Sequence, residues 1–157
     1  MSRDNLMLQI HQVQDELLLM GSMVEQATLQ SVETLKNRDK AAAKAIYNAD
    51  RLINEKRYAI ENSVLILIAT QQPLAHDLRL LAALLEIAAE IERMGDYAKG
   101  ICKVVINLEE SDIPVPIKEI EKNGHNCCKY VPPGIGCVYN RGCNYSAENS
   151  ARRRSNG

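Results

Sequence analysis

The sequence contains no phenylalanine and no tryptophan in its 157 residues. A packed core must therefore consist of leucine, isoleucine, valine, methionine and alanine side chains. An excess of charge of one sign is missing as well, because 19 Lys and Arg residues stand against 20 Asp and Glu residues. With a net charge of −1, nothing in the global charge favours nucleic acid or an anionic membrane as a partner.

Long apolar runs are also missing. The longest uncharged apolar stretch, residues 62–74, already contains the polar run Thr70-Gln71-Gln72-Pro73, so it is too short and too polar to span a bilayer. No apolar segment follows Met1, and we therefore expect no secretion signal and a cytoplasmic location. Any membrane association is expected only through partners.

The composition changes abruptly near Asn123. Residues 1–122 carry a net charge of −5 and all 17 leucines, whereas residues 123–157 carry a net charge of +4 and four of the five cysteines. The sequence therefore predicts a folded domain over residues 1–122 and a tail over residues 123–157. Three aliphatic side chains in the tail cannot offset the entropy of ordering it, so we expect it to be disordered.

Residues 1–122 show the hydrophobic period of helices. From Leu6 to Leu35 the apolar positions recur in alternating steps of three and four residues, which predicts a first helix. Asp39 is a good N-cap for a second helix, which Pro73 ends. A third helix runs from about Leu74 to Leu108, and residues 117–122 resemble the start of a fourth. The predicted inward-facing residues of the second and third helices are Ile46, Ala49, Ile53, Ile60, Val64 and Leu67, then Leu78, Leu81, Leu85, Ala88, Ile91, Ala98, Cys102, Val105 and Leu108.

Short turns between helices of about 30 residues require neighbours to run antiparallel. The predicted fold is therefore all-α, an elongated antiparallel three-helix bundle. No nucleophile–base pair stands out in residues 1–122, and Cys102 on the apolar stripe is best explained as a buried structural cysteine. Because a glycine-rich phosphate loop is missing too, the sequence does not predict an enzyme.

Two oxygen-bearing pairs stand out on the second and third helices. Glu92 and Asp96 are four residues apart, and so are Asp50 and Asn54. If the second and third helices form a hairpin about Gln72-Pro73, Asp50 lies at the same height along the bundle as Gly95, and Asn54 at the height of Ile91. The oxygen-bearing pair of the second helix then lies next to that of the third. Such a set suits a hard or borderline cation. The alternative is that Glu92 and Asp96 are solvated or pair with Arg93, Lys99 or Arg51.

Three separated motifs resemble the first half of the PhoU family of phosphate-transport regulators. They are Gln72-Pro73 followed by Asp77-Leu78-Arg79, the stretch Glu92-Arg93-Met94-Gly95-Asp96-Tyr97-Ala98, and the run Asp50-Arg51-Leu52-Ile53-Asn54. Their order and spacing agree with the family over roughly residues 1–122. One departure is Gly100, where the family commonly has asparagine.

The resemblance implies a fold of tandem three-helix bundles that bind metal through acidic motifs. Matched residue by residue, the implied metal ligands are Glu92, Asp96, Asp50 and Asn54. The cofactor is then a divalent or ferric ion, with iron, zinc, manganese and magnesium as candidates. The implied role is negative regulation of phosphate-starvation signalling, through the ATPase of a phosphate ABC transporter and a sensor histidine kinase.

The tail departs from the family pattern. Cys127, Cys128, Cys137 and Cys143, with His125, lack the paired spacing of a zinc site, and Arg152-Arg153-Arg154 alone is weak evidence for nucleic acid. The codons that encode the residues after Asn123, read one base later, permit apolar residues. This favours a frameshifted or truncated gene over a native tail.

Two other functions stay open beside the regulator. One is a structural or interaction bundle without metal, and the other is a truncated product without function. A single bundle lacks the second half of its family, so we expect its exposed faces to bind a partner, with a homo-oligomer such as a dimer as the simplest case.

Overall fold

The computed structural model describes residues 3–108 and 116–129. The first range forms three long helices, α1 (Arg3–Asn37), α2 (Lys40–Gln71) and α3 (Ala75–Asn107), and each helix contacts the other two. Within the second range, residues 117–129 are helical and are called the C-terminal segment below. The described residues contain no strand, and the predicted all-α class with a three-helix bundle is confirmed.

The turns between the helices follow local chemistry. Asp39 is the N-cap of α2, and its Oδ1 accepts hydrogen bonds from the backbone N–H groups of Ala41 and Ala42 at 3.0 Å each. A cap of this kind stabilises a helix by about 1 kcal/mol. Helix α2 ends at Gln71, because Gln72 adopts a left-handed conformation with φ of 46° and Pro73 follows it.

The predicted stripe of α1 forms one side of the core. Each buried Leu, Ile, Val or Met side chain contributes roughly 1.5–3 kcal/mol relative to an exposed one. Cys102 is completely buried, which confirms its position on the apolar stripe. The buried residues of α1 in the main cluster are Leu6, Ile10, Val13, Leu17, Met20 and Val24.

Two positions predicted to face the core are exposed instead. Ala49 lies at the edge of α2 that borders α1, and Leu78 is 41% exposed in the first turns of α3. In α3, Asp77 and Leu84 are buried where Leu78 and Leu85 were predicted, and Leu85 is only partly buried. Leu81 is buried as predicted, and the stripe agrees with the prediction from Ala88 onward.

The C-terminal segment runs antiparallel along the second half of α1. Lys36 Nζ lies 3.3 Å from a carboxylate oxygen of Glu121, and the Cys128 thiol donates to the Glu25 carbonyl at 3.8 Å. Ile120 packs against the small cluster that contains Cys102. The C-terminal segment therefore covers α1 between Glu25 and Lys36 and reaches the cluster around Cys102.

This segment corrects the predicted boundary after Lys122. The helix continues through residues 123–129, and Gly124 and Cys128 are buried in it. Contacts with α1 stabilise this part of the helix, although its composition alone does not favour a folded structure. The prediction of disorder is therefore wrong for residues 123–129, while residues 130–157, with Cys137, Cys143 and Arg152-Arg153-Arg154, lie outside the described residues.

Among the described helices, none combines the length and the apolar character that crossing a lipid bilayer requires.

Two glycines give a matched test of this packing. A Cβ atom at Gly100 meets nothing within 4 Å, whereas a Cβ atom at Gly124 lies 3.0 Å from Val32 Cγ2. We expect Gly100→Ala to raise the free energy of unfolding by about 0.5–1 kcal/mol, because alanine costs less backbone entropy in a helix. Gly124→Ala should raise the free energy of unfolding by a smaller amount or should lower it, because the new methyl group displaces the Val32 side chain. Urea unfolding followed by circular dichroism measures both, and equal gains would contradict the packing of the C-terminal segment.

Candidate functional site

Asp50 is a buried carboxylate at the middle of the bundle. It lies on the inward face of α2 and is only 5% exposed. Its Oδ2 accepts a hydrogen bond from Lys99 Nζ of α3 at 2.7 Å and another from Asn54 Nδ2 at 3.0 Å. A buried charge is tolerated only with such partners, since an unpaired ion at this depth costs several kcal/mol.

Lys99 holds this carboxylate from the more exposed side. Its side chain keeps 31% of its surface, and its Nζ lies 5.3 Å from the centre of the Tyr47 ring, within the range of a cation–π contact. The hydrogen bond to Asp50 raises the pKa of Lys99, and the negative charge of Asp50 acts in the same direction. Lys99 therefore stays protonated at neutral pH and neutralises Asp50.

The register between α2 and α3 differs from the predicted one. Ile53, and not Asp50, lies against Gly95: the Ile53 Cδ1 atom is 3.4 Å from the position of a Cβ atom at Gly95. Asp50 pairs with Lys99 instead. The shift is close to one helical turn. The link between the two helices consists of residues 72–74, and α3 begins at Ala75.

The predicted metal ligands occupy two different environments. Asp50 and Asn54 lie together in the interior, while Glu92 is half-buried and Asp96 is exposed on α3. Neither Glu92 nor Asp96 forms a hydrogen bond or an ion pair with another described residue. Arg93 pairs with Glu90 instead.

This arrangement does not fit a metal ion held by all four residues. The ammonium group of Lys99 already supplies the positive charge beside Asp50, and Asn54 uses its N–H group rather than its oxygen. Over residues 3–108 and 116–129, no three His, Cys, Asp or Glu side chains are grouped in a way that could hold a metal. Metal binding by these residues therefore stays a prediction.

Lys99 is the residue of this site that the sequence analysis did not assign to it. The sequence alone indicates it only as an alternative ion-pair partner of Glu92 and Asp96. Its position three residues after Asp96, on the same side of α3, was the available signal, but only the correct register pairs it with Asp50.

The two buried cysteines of the described residues, Cys102 and Cys128, are poor nucleophiles. Burial raises the pKa of the Cys102 thiol and of the Cys128 thiol, which disfavours the reactive thiolate. Cys127 is exposed next to Cys128 on the C-terminal segment.

A double-mutant cycle tests the Asp50–Lys99 pair. Lys99→Met leaves a buried carboxylate without its charged partner, so we expect the free energy of unfolding to fall by about 1–3 kcal/mol. Asp50→Asn combined with Lys99→Met should cost less than the sum of the single changes. The exposed Arg51–Glu55 pair is the control, and Glu55→Gln should change stability by less than about 0.5 kcal/mol. Additive single changes at Asp50 and Lys99 would show that the two residues are not coupled.

Comparison with known proteins identifies a family model that covers most of this bundle. The model of the PhoU domain matches residues 17–105, which include the end half of α1, all of α2 and nearly all of α3. Asp50, Asn54, Glu92, Asp96 and Lys99 all lie within the matched range.

Curated relatives agree with this match. A phosphate-specific transport system accessory protein PhoU homolog of Streptococcus pneumoniae serotype 4 is 31% identical over 122 residues, which are 78% of this chain and 56% of the relative. The homolog of Clostridium acetobutylicum is 32% identical over 133 residues, or 84% of this chain and 61% of its own. The accessory protein PhoU of Escherichia coli K12 is 33% identical over 98 residues, or 62% of this chain and 41% of its own.

The matched part of the chain thus spans roughly half the length of these relatives, and it corresponds to one three-helix bundle. The family match over residues 17–105 and the identities of 31–33% lead to the same conclusion. The chain belongs to the PhoU family.

Proposed function

We propose that this chain acts as an accessory protein of a phosphate-specific transport system. The observation that carries the proposal is the PhoU-domain match over residues 17–105, together with relatives that bear this name. Because the chain spans about half the length of those relatives, their role is extended to it here as a proposal.

The proposed mode of action is contact with other proteins. The bundle offers long helical faces with exposed apolar side chains, among them Leu52, Ile66 and Tyr97. Side chains of this kind supply apolar contacts when a partner protein covers them. In this proposal the partners are the ATPase of a phosphate ABC transporter and a sensor histidine kinase, the location is the cytoplasm, and the effect is repression of phosphate-starvation signalling. Self-association as a dimer is part of the same proposal.

Deletion of the gene in its host tests this role. We expect phosphate uptake and the expression of phosphate-starvation genes to rise in phosphate-rich medium, because the repressing protein is absent. A plasmid copy of the wild-type chain should restore the low level, and Gly100→Ala serves as a control variant expected to restore it equally. Uptake of labelled phosphate and a reporter fused to a starvation promoter measure the two effects.

The same experiment separates the competing explanations. Unchanged phosphate uptake and reporter expression in the deletion strain would contradict the proposed role and favour a truncated product without function. A phenotype unrelated to phosphate would favour the general interaction bundle. In each case, western blotting must show that the chain accumulates in the complemented strain.

Metal binding is a separate prediction with its own test. If an ion binds through Glu92 and Asp96, with Asp50 and Asn54 rearranged around it, the folded state is stabilised because the unfolded chain does not assemble the ligands. The thermal midpoint of the full chain should then rise with iron, manganese, zinc or magnesium and fall again with a chelator. Asp96→Asn should abolish the rise, while the stability of the metal-free protein changes little, because Asp96 is exposed.

The variant Lys99→Met gives a second test in the same thermal unfolding measurement. Removing the ammonium group frees the Asp50 carboxylate, so metal binding that uses Asp50 should become stronger in this variant. A thermal midpoint that no metal shifts, in the wild type or in Lys99→Met, would contradict the site but not the family assignment.

A further inference from the structure

A groove runs along the face between α1 and α2. Three clefts lie in it one after another, lined by residues 9–16 of α1 with 59–70 of α2, then by 23–30 with 45–53, and then by 30–39 with 42–46. The second and third clefts share Gln30, Ala45 and Ile46. Between the first and the second cleft, Lys56 of α2 forms an ion pair with Glu16 of α1.

Small residues create the central cleft. Ala27 of α1, Ala45 and Ala49 of α2 and Gly95 of α3 meet around it, and the cleft has a volume of about 290 Å³. An apolar cavity of roughly 150 Å³ already accommodates a benzene molecule. The central cleft therefore has room for a large apolar side chain, and its lining is mostly apolar.

Two oxygen atoms in this groove can accept a further hydrogen bond. Asp50 lines the central cleft and engages Lys99 and Asn54 through Oδ2 alone, so that Oδ1 accepts nothing from the described residues. Gln9 lines the first cleft, and its Oε1 is buried without a partner among the described residues. A buried acceptor without a donor costs free energy, so Gln9 Oε1 favours a ligand that brings N–H or O–H groups, and Asp50 Oδ1 can accept from the same ligand.

Charge and exposure indicate the same kind of ligand. The charged side chains that line the three clefts are acidic in four cases, Glu16, Glu33, Asp39 and Asp50, and basic at Lys99. Lys99 pairs with Asp50, and Lys56 between the clefts pairs with Glu16, so the groove keeps a net negative charge from Glu33 and Asp39. At the rim, Leu52 is 50% exposed and Ile66 is 62% exposed. An apolar rim around acceptor oxygens is complementary to an apolar surface that carries a cationic donor.

We propose that the α1–α2 groove binds an amphipathic helix of a partner protein, with a large apolar side chain in the central cleft and a Lys or Arg beside Asp50. A helix fits this place because a groove between two antiparallel helices accepts the ridge of a third. The lining residues of α1, from Gln9 to Asn37, extend over about 42 Å of helix, enough for several turns of a ligand.

A second copy of this chain fits the groove less well. A two-fold contact through this face would set two acidic grooves against each other, which opposes like charges. The C-terminal segment borders one end of the groove, since Glu33 and Asn37 line both the third cleft and the cleft formed with Glu121 and His125. The inference rests on the proposed function only in that an accessory protein has a protein partner.

A selection of binding peptides tests the inference. The probe is a phage-displayed library of helical peptides of about 18 residues, roughly 27 Å long, with one randomised face. The full wild-type chain is the target, and Ala49→Leu, which fills the central cleft, is the counter-target. Ala82→Leu on the exposed outer side of α3 is the matched control, since it makes the same substitution outside the three clefts.

We expect enriched peptides to carry an apolar stripe that includes one Lys or Arg. By fluorescence anisotropy, Ala49→Leu should weaken their binding about tenfold or more, and Ala82→Leu less than about twofold. Asp50→Asn should weaken the binding of the Lys or Arg peptides but not of versions with norleucine at that position. Circular dichroism checks that every variant is folded.

Three results would overturn the proposal. The first is a selection without any peptide that distinguishes wild type from Ala49→Leu, and the second is enrichment of Asp or Glu in the stripe. The third is self-association of the wild-type chain that Ala49→Leu abolishes, which would assign the groove to a second copy. The binding experiment uses purified protein and does not depend on the deletion strain. A negative result for the groove is therefore distinguished from a negative result for the proposed role in phosphate transport.

Discussion

The close approach of the three helices at Gly95 sets the geometry on which the rest of the bundle depends. Without a side chain at this position, Ile53 of α2 and Val24 of α1 both come within 3.4–3.6 Å of the place where a Cβ atom would stand. This contact fixes the register of α2 against α3. The register in turn places Lys99 at Asp50, and together with three nearby alanines it leaves the central cleft open.

The helices themselves could be predicted from the sequence because their signals are local. The period of α1, the cap at Asp39 and the stop at Pro73 each act within a few residues, and the structure reproduces them. The register between helices is not local. It depends on which side chains pack at the crossing, where Ile53 lies against Gly95. The predicted pairing of Asp50 with Gly95 is therefore wrong by about one turn.

The C-terminal segment is a second feature that could not be predicted in full from the sequence. Composition changes at Asn123, yet residues 123–129 remain helical because they pack on α1. Gly124 is suited to this contact, since even a Cβ atom would lie 3.0 Å from Val32. This helix is stabilised by contacts of Ile120, Gly124 and Cys128, and not by leucines. The overall composition therefore does not predict it.

The acidic residues singled out by the sequence divide into two chemical groups. Asp50 is desolvated and neutralised by Lys99, so its remaining oxygen favours a donor delivered through the α1–α2 groove. Glu92 and Asp96 lie on the same side of α3 as Lys99, where the charge of Asp96 acts on Lys99 and water or a cation supplied from outside can reach at least Asp96. Both surfaces meet at Lys99: displacing its ammonium group from Asp50 by a competing cation would alter the wall of the groove. Binding on one face would then change the affinity of the other through a single ion pair, and linkage requires the effect to be reciprocal.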